Sequence, residues 1–170
     1  MKEEKIMGFF SKLFAKSEDN KNALYAPMAG QAVALSEVPD PAFSGGMLGD
    51  GMAIIPNSGE VVAPCDATVD MMFATGHAVS LVADNGAEIL IHVGLDTVTL
   101  NGAPFQIVVE SGQKVKKGDL LMTADLEAIK AAGLDPITPM LVCNSSDYTT
   151  FKMSTGKAVT NADVVIELGK

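Results

Sequence analysis

The chain has only two histidines, His77 and His92. Both fall in one short stretch, HAVSLVADNGAEILIH, in which two alternating apolar arms are joined by Asn85-Gly86. Imidazole titrates near neutrality and its two nitrogens can take different roles, so an adjacent pair suits phosphoryl transfer, metal binding or acid–base work. Asn-Gly tolerates the positive φ angles of a type I′ turn, which predicts a hairpin with a two-residue loop. That loop sets Asp84 opposite Ala87, Val82 opposite Ile89 and Val79 opposite His92. His77, two residues from Val79, is then expected on the face of His92 as its diagonal neighbour, at roughly 7–8 Å between backbones. A single histidine in an apolar strand is ordinarily a satisfied core residue. Two buried together leave several ring nitrogens in need of partners, so their convergence marks the site more strongly than either residue alone.

A phosphate-accepting histidine needs one bare nitrogen to attack phosphorus, while the other donates a hydrogen bond that fixes the tautomer. His92 ends its arm at Val93-Gly94, and Gly94 lets the backbone bend so that a carbonyl can hold the ring proton. His77 is then expected beside the phosphoryl oxygens, where a hydrogen bond or positive charge offsets the charge that spreads over them in transfer. Thr75, two residues before His77 and so on the same strand face, is the candidate to orient it, although alone it reads as an ordinary strand threonine.

Residues 23–170 are expected to supply the scaffold. Short apolar segments separated by Gly, Pro, Asn and Asp every 8–12 residues or so predict an all-β sandwich or barrel. Strands are expected at 23–26, 30–35, 46–48, 52–55, 61–63, 67–72, 78–83, 87–92, 96–100, 105–109, 119–124, 139–143 and 163–168. LEAIKAAG, ending in Gly133, predicts a short helix with a glycine just past its end, and SSDYTTF a helical turn. Residues 1–22 read separately, as an amphipathic tail and linker. Phe9, Phe10, Leu13 and Phe14 fall on one helical face, suited to an anionic membrane surface or a partner, followed by the polar run KSEDNKN.

Composition narrows the function classes. At 170 residues, 48% hydrophobic and 19% charged, with a mean hydropathy of +0.26, the chain can bury one substantial core. A net charge of −9 without a basic stripe disfavours nucleic acid as a partner. Cys65 and Cys143 lack metal-binding spacing and sit among apolar residues, so buried thiols in a reducing cytoplasm are expected. Neither an apolar run of membrane-spanning length nor a signal peptide is legible, which places the expectation in the cytoplasm.

The strings VPDPAF (38–43), GDGMAI (49–54), VVAPCDATV (61–69), TGHAVS (75–80), ILIHVGLDTVTLNG (89–102), GQKVKKGDLL (112–121) and ITPMLVCN (137–144) closely resemble the glucose-type enzyme IIA of the bacterial sugar phosphotransferase system. The similarity runs from about Leu24 to the C-terminus, and GFFSKLF resembles that family's amphipathic N-terminal anchor. What the resemblance implies is an antiparallel β-sandwich or flattened barrel with a few helical turns, glucose permease IIA-like and built on a duplicated hybrid motif. It also implies a phosphocarrier that takes a phosphoryl group from phospho-HPr and passes it to a cysteine of a sugar-specific IIB domain. His92 matches the phosphorylated histidine, with Nδ1 on the Gly94 carbonyl; His77 matches its helper and Thr75 the supporting threonine. Asp40 and Asp96 match rim carboxylates that meet basic residues of partners. Phe43, Met47, Leu48, Phe73, Leu90 and Val98 fall where the family has an apolar ring, although Leu90, Ala42 and Val79 are smaller than the aromatic or branched residues expected. Family members in some bacteria also regulate permeases, kinases or nucleotide cyclase signalling.

Two rivals of related shape are disfavoured. A biotin or lipoyl carrier needs its lysine in a tight hairpin, whereas Lys130 falls in the predicted helix. A zinc peptidase needs a third ligand, usually from a further histidine. No resident cofactor or metal is therefore expected, although His77 and His92 leave coordination positions open to Zn2+ completed by a partner's carboxylate.

Overall fold

The structure is a computed structural model that describes residues 22–170. The predicted amphipathic helix of the N-terminal tail lies outside these residues. Among the described residues, fourteen strands run in chain order as β1 (Ala23–Tyr25), β2 (Gly30–Ala34), β3 (Asp50–Pro56), β4 (Glu60–Val62), β5 (Ala67–Met72), β6 (Ala78–Ala83) and β7 (Glu88–His92), followed by β8 (Phe105–Ile107), β9 (Lys114–Val115), β10 (Leu120–Ala124), β11 (Thr138–Val142), β12 (Thr150–Met153), β13 (Lys157–Val159) and β14 (Val164–Gly169). Every pairing is antiparallel. An eight-stranded sheet has the order β13-β2-β3-β11-β7-β6-β5-β9, beside two three-stranded sheets, β1-β14-β12 and β4-β10-β8. The fold is all-β, as the spacing of turn residues predicts.

Two-residue alternation divides the large sheet's apolar residues between two cores. Ala32, Met52, Ile54, Ile89, Ile91, Met140 and Val142 face the main core, where they meet residues such as Leu24, Leu121 and Met122 of the smaller sheets. The residues between them, Val33, Ala53, Leu90 and Leu141, face the other way into a second, smaller core closed by Leu35, Val38, Phe43, Leu95 and Ile137. All five residues of β11 are buried, because both faces of this strand are covered. The second core forms the base on which the histidines stand.

Helix α1 (Pro41–Ser44) is one turn long. It starts where the Asp40 carboxylate accepts the Ala42 N–H at 3.0 Å, and Pro41 at the first position lacks an N–H that would otherwise go unpaired. Its role is to bring Phe43 down onto the second core. Helix α2 (Leu126–Ala131), capped by Asp125, buries Ile129 in the main core; Gly133 follows at φ +79°.

Several expected elements differ. Residues 46–48 form turns, not a strand, because the chain reverses after α1 through Gly46 at φ +75°. Residues 97–100 form a 3-10 turn entered through Asp96 and left through Asn101, both left-handed, so the alternation in DTVTL never pairs. Short strands β9, β12 and β13 escape the apolar pattern because their residues are mostly exposed. Of the cysteines, Cys65 is buried but Cys143, just past β11, is exposed.

Candidate functional site at the paired histidines

The β6–β7 hairpin differs from the expected register by one residue. Ala83 N–H donates to Ala87 O and Gly86 N–H to Ala83 O, enclosing the three-residue loop Asp84-Asn85-Gly86. Only Gly86 of these has positive φ, at +93°. The loop is therefore a type I-like turn closed by a left-handed glycine rather than a type I′ turn. The Asn85 side-chain oxygen Oδ1 accepts the Ala87 N–H at 2.9 Å. From across the sheet, Asn144 holds the hairpin by accepting the Glu88 N–H and donating to Gly86 O. Ala78 consequently faces His92, and Val79 faces Ile91.

With that register, strict alternation would send His77 to the face opposite His92. It does not, because β6 begins at Ala78 and His77 precedes it in a turn that passes through Gly76 at φ +72°. The turn is closed by Gly76 N–H donating to Phe73 O, and Val93 N–H ties its end down by donating to His77 O at 2.7 Å. The two imidazoles meet edge to face, with centroids 5.1 Å apart. A tight turn rather than a shared strand face brings them together, and the same turn brings the Thr75 hydroxyl into a hydrogen bond with His77 Nδ1.

His92 Nδ1 lies 2.7 Å from Gly94 O, so the ring donates its Nδ1 hydrogen to that carbonyl and leaves Nε2 as the bare nitrogen. Gly94, at φ +79°, supplies the bend. His77 is buried at 7% exposure, while His92 is half-buried. Burial lowers the pKa of both rings below 6.5 by disfavouring the imidazolium. His92 adds repulsion to His77; for His92 itself the Gly94 bond and the charges of Asp40 and Asp96 partly oppose the fall. At neutral pH both imidazoles are mainly uncharged.

The surrounding residues divide by role. Phe43 tilts against His92 with centroids 5.1 Å apart, and Phe73 meets His77 edge-on at 5.3 Å. Leu90, two residues before His92 on β7, packs on the second core. Met47, Leu48 and Val98 are exposed, Met47 at 84%. Asp40 both caps α1 and faces His92 electrostatically; Asp96 is exposed at the start of the 3-10 turn. Sequence reasoning missed Met71 and Val82, two more exposed apolar residues. Met71 pairs with Ser80 and Ser80 with Leu90, so Met71 and Leu90 share one sheet face with the polar Ser80 between them. An apolar residue at the outward position of β6 was the legible signal for Val82.

Among the described residues, no group of three or more His, Cys, Asp or Glu side chains could hold a metal ion. Lys130 lies within α2, in an exposed ion pair with Glu127 at 3.8 Å, unlike the hairpin lysine of a carrier domain. Among the same residues no helix is long and apolar enough to cross a membrane.

A sequence profile of the phosphoenolpyruvate-dependent sugar phosphotransferase system, EIIA 1, matches residues 22–148, well over half of the chain. The chain belongs to this EIIA family. It is 42% identical over 159 residues to a protein named PTS system glucose-specific EIIA component from Staphylococcus epidermidis, covering 92% of this chain and 96% of that protein. It is 48% identical over 135 residues to the PTS system beta-glucoside-specific EIIBCA component of Bacillus subtilis, covering 79% of this chain but only 22% of the larger protein. Among solved structures, glucose permease IIA from Mycoplasma capricolum superposes with a TM-score of 0.74 at 36% identity, covering 85% of this chain and 93% of that one. Family membership makes the chain a phosphotransferase-system component, and the paired histidines are its most concentrated reactive chemistry.

Proposed function

We propose that the chain is a cytoplasmic phosphocarrier that accepts a phosphoryl group from phospho-HPr on His92 and delivers it to a cysteine of a sugar-specific IIB domain. The observation that carries this reading is the His92 ring itself. With its Nδ1 hydrogen on Gly94 O at 2.7 Å, the lone pair of Nε2 is free to attack. In the first step that lone pair forms a bond to phosphorus as the bond to the donor's imidazole nitrogen breaks, and the electron pair returns to the donor ring. In the second, a cysteine thiolate forms the phosphorus–sulfur bond and His92 Nε2 recovers its lone pair.

With the Thr75 hydroxyl donating to Nδ1, His77 carries its hydrogen on Nε2, where a phosphoryl oxygen can accept it as charge develops. Asp40 and Asp96 leave the rim acidic, suited to basic residues on a donor or acceptor protein. Phe43, Phe73 and Leu90, with exposed Met47, Leu48 and Val98, provide an apolar surround that excludes water from a reactive phosphoryl–nitrogen bond. Delivery to a IIB domain accords with the Bacillus subtilis relative, whose name places EIIA and EIIB in one protein.

The test is incubation with enzyme I, HPr and radiolabelled phosphoenolpyruvate. The wild-type chain takes up one label and His92→Ala takes up none; full labelling of His92→Ala would overturn the assignment.

A further inference from the structure

Thr97 is fully buried, one of only three buried polar residues among those described, and it touches neither histidine ring by any bond found. Its hydroxyl donates to Val93 O at 2.6 Å. Its methyl lies against Gly94: a Cβ added there would sit 2.6 Å from Thr97 Cγ2 and 3.1 Å from Asp135 O. The Leu95 N–H donates to that same Asp135 carbonyl at 2.9 Å, which fixes the other side of the bend. One side chain thus engages the two residues that serve the two imidazoles. Val93 N–H holds His77 O, and Gly94 O holds His92 Nδ1.

We infer that Thr97 is the positioning residue that aims the Gly94 carbonyl at His92 and thereby fixes the tautomer with Nε2 bare. The physical reason is the cost of an unpaired buried carbonyl. Without the hydroxyl, Val93 O faces a methyl group, and the cheapest relief is rotation of the Val93–Gly94 peptide about a glycine that offers little resistance. That relief changes Gly94 φ, and the Gly94–Leu95 peptide, which carries Gly94 O, turns away from the ring with it. The methyl packs beside the same glycine and adds a smaller constraint, so the hydroxyl carries most of the effect. The inference rests on the reading of His92 as phosphoryl acceptor for its kinetic consequence, but its effect on the ring is independent of any partner.

Two variants of the full chain separate the contributions. Thr97→Val keeps the shape and deletes the hydroxyl, while Thr97→Ser keeps the hydroxyl. The nitrogen chemical shifts of the His92 ring, measured in unphosphorylated protein, report which nitrogen holds the hydrogen. Thr97→Val is expected to turn a predominantly Nδ1-protonated ring into a mixture and to slow phosphoryl uptake from phospho-HPr about tenfold, the scale of one lost buried hydrogen bond. Thr97→Ser should restore both readouts to within about twofold of wild type, given that the hydroxyl is kept. An unchanged ring tautomer in folded Thr97→Val, or a Thr97→Ser chain with the valine defect, would overturn the inference.

If Thr97→Val does not fold, the second arm is Gly94→Ala, made alone and in the Thr97→Ser background. Removing Cγ2 relieves the steric overlap, so the alanine substitution should do less damage to the tautomer there; equal damage would overturn the inference. Mapping of the label on wild-type protein to a residue other than His92 would instead remove the acceptor reading, with the ring nitrogens still judging Thr97.

Discussion

Gly94 and Gly133 share φ +79°, yet one is enclosed and the other open. Alanine at either position must adopt a left-handed backbone, at a cost of about 1–2 kcal/mol. At ~2–4 °C per kcal/mol for a chain of this size, Gly133→Ala should melt about 2–8 °C below wild type. Nothing lies within 4 Å of its new Cβ, so no further loss is expected. At Gly94 the Cβ also meets Thr97 Cγ2 at 2.6 Å and Asp135 O at 3.1 Å. Neither can yield easily, since Thr97 is fully buried and hydrogen-bonded and Asp135 O accepts the Leu95 N–H. Overpacking of this kind adds ~1–3 kcal/mol, a further loss of ~2–12 °C. Thermal unfolding of the two variants side by side cancels the backbone contribution. Phosphoryl uptake should fall only in Gly94→Ala, whose displaced carbonyl releases His92 Nδ1. Coincident melting of the two variants would refute the claim that the carbonyl is held by close packing.

Three other outcomes are expected. His77→Gln should still accept a phosphoryl group but deliver it poorly to a IIB domain, because the amide cannot serve as a proton donor in the way imidazole can; normal delivery kinetics would contradict the helper role. Burial lowers the pKa of both imidazoles in the folded chain below 6.5, so the unfolded state binds more protons in the interval between folded and unfolded values. Their contribution to stability is therefore complete above 6.5 and is lost as pH falls from there toward the folded values. Urea midpoints at about pH 7.5 and about pH 5.5 should differ less in His77→Gln than in wild type. Finally, Cys65 is buried and its thiol pushed up to about 12 by burial and then by Asp66 and Asp84, whereas Cys143 is exposed. Alkylation of native protein should modify Cys143 alone, with Cys65 reacting only on unfolding.

What was legible in the sequence was the family and the type of most elements, the latter because alternating apolar segments report burial on one sheet face. The mutual approach of His77 and His92 was expected, but the reasoning depended on a two-residue loop at Asn85-Gly86. The actual loop includes Asp84, and the difference of one residue should have separated the rings. They meet because Gly76 releases His77 from the strand, a tertiary adjustment that period-two reasoning cannot contain. Residues 46–48 and 96–100 failed for a related reason. Met47, Leu48 and Val98 are apolar yet exposed, so their hydrophobicity reports a surface and not a core. The second core was likewise hidden, since Val33, Ala53, Leu90 and Leu141 occupy positions that simple alternation assigns to solvent.

The central claim is that His92 reacts through Nε2 while Gly94 O retains the Nδ1 hydrogen. Nitrogen and phosphorus NMR of the chain phosphorylated by enzyme I and HPr tests this most directly. The account predicts phosphorus bonded to His92 Nε2 with the Nδ1 hydrogen still present; phosphorus on His92 Nδ1, or on His77, would contradict it.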